Sequence, residues 1–214
     1  WGLGYNRCGA EENWTGSVGV FQSGTDASDV QFGDGSTTAV TARWTQLAYN
    51  VNRGEQLMHF GLAVSERVAD RGIIVVSQRP RSPLLTLGDS TDSSFVPKVQ
   101  IPANFQQLIN TQWAVVNGPV WAQAEWYGTI IERRDGLPVF YNGAHFDMGY
   151  FLTGEHREYQ THSGIFGPVK VNHPAIRGIC TDRRNDDLGY GAWEVVARFA
   201  YLDFIDGNTP LDPA

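Results

Sequence analysis

The chain has 214 residues, 42% of them hydrophobic and only 18% charged, with 24 glycines and 12% aromatics. That length fits one domain with a large core or a substantial part of a bigger one, and the glycine and aromatic content favours an all-β class. A net charge of −7 argues against a nucleic-acid partner; no run approaches the roughly 18 apolar residues of a membrane helix, which says nothing against strands that are short and half apolar.

The chain opens at Trp1 without an initiator methionine, signal peptide or lipid-anchor motif, so an internal or processed segment is expected. Reading for a period of two gives about eight strand candidates. Residues 13–21 come first, followed by a Ser/Gly/Asp-rich loop over 23–37. Strands are expected at 38–49 and 56–67, separated by Asn50, Asn52 and Gly54, and then at 73–81, which ends in Arg79 and Arg81. An irregular stretch over 82–104 carries Pro83, Pro97 and Pro102. Strands at 107–116 and 120–131 are joined by the tight turn Asn117-Gly118-Pro119, and 139–153 follows the turn Asp135-Gly136-Leu137-Pro138. A long segment, 154–190, precedes the last strand at 191–204.

The two phases of these strands differ in chemistry. Val40, Ala42 and Trp44 oppose Thr41, Arg43 and Thr45; Met58, Phe60, Leu62 and Val64 oppose His59, Gly61, Ala63, Ser65 and Arg67. Ala122, Ala124 and Trp126 oppose Gln123, Glu125, Tyr127 and Thr129. Ala144, Phe146, Met148, Tyr150 and Leu152 oppose His145, Asp147 and Gly149. In the final strand Trp193, Val195, Ala197, Phe199 and Tyr201 oppose Glu194, Val196, Arg198, Ala200 and Leu202. Alternate residues of a strand face opposite sides. Unpaired charge in a dry core costs several kcal/mol, so the polar rows must be wet. Several strands also reach the roughly 9–11 residues that cross a bilayer at a tilt. The pattern predicts an antiparallel transmembrane β-barrel with lipid outside and water inside. The alternative is a soluble β-sandwich, either a carbohydrate-binding module or a glycosidase, in which Trp44, Phe60, Trp126, Phe146 and Phe199 would converge on a dry interior.

The chain resembles the phosphate-selective porin O and P family of outer-membrane channels. The resemblance is carried by Phe151-Leu152-Thr153-Gly154-Glu155-His156-Arg157-Glu158-Tyr159, by Ser163-Gly164-Ile165-Phe166-Gly167-Pro168-Val169-Lys170, and by 191–203. Weaker pieces are Val18-Gly19-Val20-Phe21, Phe32-Gly33-Asp34-Gly35 and Leu57-Met58-His59-Phe60-Gly61. It implies barrels of sixteen antiparallel strands, within the even-numbered range of outer-membrane barrels. Such barrels are homotrimers in the outer membrane of a Gram-negative-type bacterium, bedded in its lipid and passing phosphate or similar small anions by passive diffusion. On that footing, residues 1–214 form a partial porin β-barrel domain that lacks the early and closing strands. No cofactor, metal or enzymatic step is implied, and no nucleic acid. If Asn117-Gly118-Pro119 is a periplasmic turn, strict alternation puts the long 154–190 segment on that same side, where it hides a further strand pair or tucks back towards the pore.

An anion passage needs fixed positive charge on its wet wall to offset the hydration an ion loses. The inward rows hold Arg43, Arg67, Arg79, Arg81 and Arg198 against Glu125, Asp147 and Glu194, so the wall is expected to lean basic and those five arginines are the candidate anion sites. Glu125, Asp147, Glu194, His59 and His145 are the other polar wall residues. Arg79 and Arg81, two apart on a strand, point the same way and suit the passing of one anion between them. Arg198 lies four residues from Glu194 on one face, which predicts an ion pair between them. Arg133 and Arg134 read as solvated loop residues. The family's anion-trapping lysines find no matching cluster here, since Lys98 is isolated among prolines and Lys170 sits in the long segment. Glu155, His156, Glu158 and His162 lack the spacing of a helical zinc motif and read as solvated groups. Glu125 and Asp147 imitate a glycosidase pair but read better as wall residues. Cys8 and Cys180 have no metal-ligand spacing, and one disulfide or two thiols both remain open.

Overall fold

The computed structural model of the chain describes residues 2–22, 37–69, 72–78, 96–175 and 189–206. The alternation builds one antiparallel sheet from β1 (Gly2–Cys8), β2 (Trp14–Gln22), β3 (Thr37–Val51), β4 (Gln56–Ala69), β5 (Ile73–Gln78), β6 (Val96–Asn117), β7 (Val120–Arg133), β8 (Val139–Phe151) and, after a two-residue pair β9 (Tyr159–Gln160) and β10 (Ile165–Phe166), β11 (Glu194–Asp203). Its order is β1-β2-β3-β4-β6-β7-β8-β11, with β5 pairing the far end of β6. Within the described residues the sheet is open. No helix among them is long and apolar enough to cross a membrane.

The register sorts the side chains as the alternation predicts. Trp44 pairs with Leu62, Phe60 with Trp113, Trp113 with Ala124, Ala124 with Phe146 and Phe146 with Phe199. One face therefore carries a continuous apolar row from Phe60 on β4 to Phe199 on β11, with Trp44 and Leu62 in the neighbouring row. That face is uncovered, with Trp44 46% and Phe199 69% exposed. The rings do not meet across a dry interior, as a sandwich requires.

The buried apolar residues lie on the opposite face in two clusters. Leu47, Leu57, Val116, Trp121 and Phe151 pack under Tyr159, Phe166 and Val169 at one end of the strands. Ile101, Ala103, Ile131, Val139 and Tyr141 pack under Ile74, Val76, Val99 and Phe204 at the other. Between the clusters the same face is polar.

Three connections share the first end: 9–13 between β1 and β2, 52–55 between β3 and β4, and 118–119 between β6 and β7. Gly118 turns the last of these at φ +57°, open to glycine at low cost, and its N–H donates to the Glu55 carbonyl at 2.7 Å. The long segment from Leu152 leaves β8 at this same end, where the Phe151 N–H donates to the Pro119 carbonyl at 2.9 Å. The expected alternation therefore holds. The described part of the segment combines the two expected arrangements: it holds the short antiparallel pair β9–β10 and lies against the polar face.

Several strand bounds differ from expectation. β1 is an additional strand, with Leu3 and Tyr5 paired to Val20 and Val18. Residues 96–104, expected to be irregular, extend β6, and 96–102 pair with β5, with Pro102 opposite Ile73. A proline survives there because the extension is bordered by a six-residue strand and not by the full sheet. A register shift between Leu47 and Tyr49 turns Tyr49 and Val51 to the apolar side, which strict alternation does not foresee.

Candidate functional site

The polar face is built from cross-strand rows. One row runs Leu47, His59, Ala114, Gln123, Asp147, Arg198; the next runs Thr45, Gly61, Gln112, Glu125, His145, Ala200; a third runs Arg43, Ala63, Asn110, Tyr127, Gly143, Leu202. Neighbouring strands stand about 4.8 Å apart, so these side chains form hydrogen-bonded chains along the rows. Arg198 Nε and Nη2 donate to the two Asp147 oxygens at 2.5 and 2.6 Å, and the Gln123 amide donates to Asp147 Oδ2 at 2.9 Å. Asp147 is only 1% exposed, and this fork with the amide satisfies a carboxylate that burial would otherwise penalise. His145 Nε2 lies 3.8 Å from the same carboxylate and its ring stacks on Tyr127. The Tyr127 hydroxyl donates to Glu125.

The segment after β8 forms a strap across this face from β8 to the β1–β2 turn. Arg157 lies 4.3 Å from both the Trp121 and Phe166 ring centres and donates from Nη1 to Gln123 Oε1 at 2.7 Å. Burial works against its charge, and Glu194 and Asp147 nearby oppose that effect. Next, the Tyr159 hydroxyl meets His59 Nδ1 at 2.7 Å; burial raises this phenol above its ordinary value, with Thr45 and Arg43 opposing. At the tip, Arg43 Nη2 donates to the Gly164 carbonyl at 2.9 Å and to Gln112 Oε1 at 3.0 Å, with Nη1 3.4 Å from the Ser163 carbonyl. Gly164 sits at φ +64°, and a Cβ there would come within 2.6 Å of the Thr45 and Thr15 hydroxyl oxygens, which are themselves 2.6 Å apart. Beyond the tip, Thr161 donates to Glu12 at 2.5 Å and His162 stands 3.3 Å from the same carboxylate. The strap thus touches β7, β4, β3 and the β1–β2 turn in succession.

These contacts revise several sequence expectations. Arg198 pairs with Asp147 on β8 and not with Glu194, because the register places Asp147 directly opposite it; Glu194 instead accepts from Trp121 Nε1 at 2.6 Å. Glu155 is not a solvated group but is buried at the base of the strap. Burial by itself pushes its carboxyl up, yet hydrogen bonds from the Thr153 hydroxyl and the Asn172 backbone N–H, with His173 nearby, outweigh it and hold the group below the ordinary carboxylate range. Arg134 is exposed, as expected, and donates from Nε to Asn104 at 2.8 Å, whereas Arg133 is not a loop residue but ends β7 and is half-buried. Arg79, Arg81 and Cys180 lie outside the described residues, as does the side chain of Lys98. Among the inward arginines that are described, Arg43 is engaged with the strap and Arg198 with Asp147, while Arg67 makes no hydrogen bond or ion pair with the described residues. Of the five arginines expected on the wall, three are described (Arg43, Arg67, Arg198) against Glu125, Asp147 and Glu194; Arg133 at the end of β7 and the strap's Arg157 add to the same face. Among the described residues no group of three or more His, Cys, Asp or Glu is placed to hold a metal. Arg157, Tyr159, Gly164, Gln112 and Gln123 were not singled out from the sequence as site residues; Gly164, at positive φ between Ser163 and Ile165, is the local signal that marks the strap's tip.

A long-stranded antiparallel sheet with one exposed apolar face, and a polar face crossed by its own loop, is of the kind that builds β-barrel walls. The chain belongs to the phosphate-selective porin O and P family, whose sequence profile matches residues 2–209. It is also similar to an uncharacterized protein of Caulobacter vibrioides, 24% identical over 158 residues, which make up 74% of this chain and 29% of that protein. The match takes in less than a third of that relative's length.

Proposed function

We propose that the chain forms part of the wall of an outer-membrane β-barrel channel that passes small anions, phosphate or similar, by passive diffusion. The complete barrel stands in the outer membrane of a Gram-negative-type bacterium and assembles as a homotrimer. The observation that carries this reading is the pairing of an uncovered row of rings on one face with a buried, satisfied carboxylate and an in-folded strap on the other. Acyl chains suit the first face and water the second. Nothing in this function needs a covalent step or a cofactor.

The strap narrows the passage, and the wall supplies fixed dipoles and charges in place of the water an ion sheds there. Within this reading the arginines divide. Arg43 and Arg198 hold structure, whereas Arg67, with Arg79 and Arg81, supplies charge to the moving anion. Planar-bilayer recording across a KCl gradient tests it: the reversal potential is expected to show chloride preference. Absence of conductance overturns the channel, and cation preference overturns the anion reading alone.

A further inference from the structure

Beyond the polar rows, the same face holds a concavity of about 240 Å3 floored by Leu108, Tyr141, Leu202 and Phe204. Phe204 and Tyr141 meet edge to face at 5.3 Å, which fixes one wall. Small residues at Ala63 and Gly143 make the depression, and the hydroxyls of Thr41 and Ser65, bonded to each other at 2.9 Å, form its rim on the β3–β4 side. Arg67 stands two residues beyond Ser65 on β4. Side chains so spaced share a face about 6.6 Å apart, within reach of a guanidinium stem. Arg67 pairs in register with Gln106, next to Leu108 on β6. An apolar shelf and a cation without a partner among the described residues are therefore side by side on this wall.

We infer that this shelf is a subsite for organic anions with an apolar ring, of the aryl carboxylate class, with the ring on Leu108, Leu202 and Phe204 and the carboxylate on Arg67. The inference rests on the channel reading and names a solute class for it. Size fits: apolar cavities of about 150 Å3 hold a benzene ring, and this one is larger. Charge fits, because Arg67 has no partner among the described residues. Inorganic phosphate does not fit the shelf, since most of its oxygens would face hydrocarbon without donors.

The test is block of chloride current in planar bilayers by benzoate, compared with acetate and inorganic phosphate at equal concentration. Benzoate is expected to reach half-block at about tenfold lower concentration than acetate, the equivalent of burying part of one ring. Leu202→Ser, at an exposed strand position, is expected to abolish that difference. Arg67→Gln is expected to weaken benzoate and acetate together. A conducting channel in which benzoate and acetate block alike, or in which Arg67→Gln leaves benzoate block unchanged, overturns the subsite while leaving the channel intact. A protein without chloride conductance overturns the channel, and the subsite with it.

Discussion

Arg43 was a candidate for anion contact on sequence grounds, and its geometry assigns it instead to the strap. The discriminating change is Arg43→Lys, which keeps the charge and loses the planar fork. The guanidinium donates to the Gly164 and Ser163 carbonyls of the strap and to Gln112 on β6, and one ammonium cannot span all three. A hydrogen bond from a charged donor contributes about 1.5–3 kcal/mol. The Ser163 contact is long, and water in the passage can reach the freed carbonyls, so the net loss is taken as about 2 kcal/mol. That is roughly a thirtyfold shift in a local equilibrium. A detached population on the order of 0.1% would rise to a few per cent. Single-channel recording would then show brief excursions to higher conductance about thirtyfold more often than wild type, with an unchanged reversal potential because the charge is retained. If Arg43 served the permeating anion alone, the lysine variant would be as quiet as wild type. A quiet trace refutes the anchoring role.

Asp147→Asn breaks the fork to Arg198, and because Arg198 is 44% exposed the cost is set near 2 kcal/mol rather than the 3–5 of a fully buried pair. It should lower the thermal midpoint of β-structure in detergent, and an unchanged midpoint counts against the β8–β11 clasp. Phe199→Arg places a charge on the apolar face and should cost about 2–4 kcal/mol of folding into vesicles near the bilayer midplane, whereas Ala200→Arg, one residue on and facing inward, should fold far better. Equal yields would show that the two faces are not lipid and water. Glu155 has a folded pKa below its unfolded one, so its contribution to the strap is complete above the ordinary value of about 4.3 and is lost as pH falls through the depressed value. Open-channel flicker should rise as recordings are taken below about pH 4, and Glu155→Gln should lose that pH dependence; a variant with the wild-type onset removes Glu155 from the account.

The two faces were legible because a strand's period is exact and the apolar and polar rows differ from strand to strand in the same sense. Trp44, Phe60, Phe146 and Phe199 could be assigned to one side with no knowledge of pairing. What a residue on the polar side does could not be read the same way. Arg198 and Glu194 share a face and a strand, which made them natural partners, but strand i, i+2 and i+4 neighbours stand farther apart than directly opposed residues. Register brought Asp147 opposite Arg198, and register depends on the whole sheet. The bulge after Leu47 was hidden for a related reason: one extra residue leaves the composition of β3 unchanged while reversing its faces. Prolines at 97 and 102 argued against a strand that exists because it pairs with a short partner. The strap was legible as a segment on the short-turn side. Its anchors were not, because Arg43 and Gly164, or His59 and Tyr159, are joined by contacts across a hundred or more residues that no local pattern encodes.

Fourteen arginines against two lysines invite an explanation by anion binding, but the described arginines suggest another. Arg43 must reach two strap carbonyls and an amide together. Arg198 must meet both oxygens of one carboxylate, and Arg157 must lie against two rings while donating at its edge. Each task needs a planar, forked cation that tolerates a weakly hydrated setting, and an ammonium performs none of them as well. For these three positions, arginine over lysine therefore follows from long-range polar contacts within the wall and between wall and strap. On the proposed channel reading, ion preference would then fall to arginines without such a task, and Arg67 is the described one to test first.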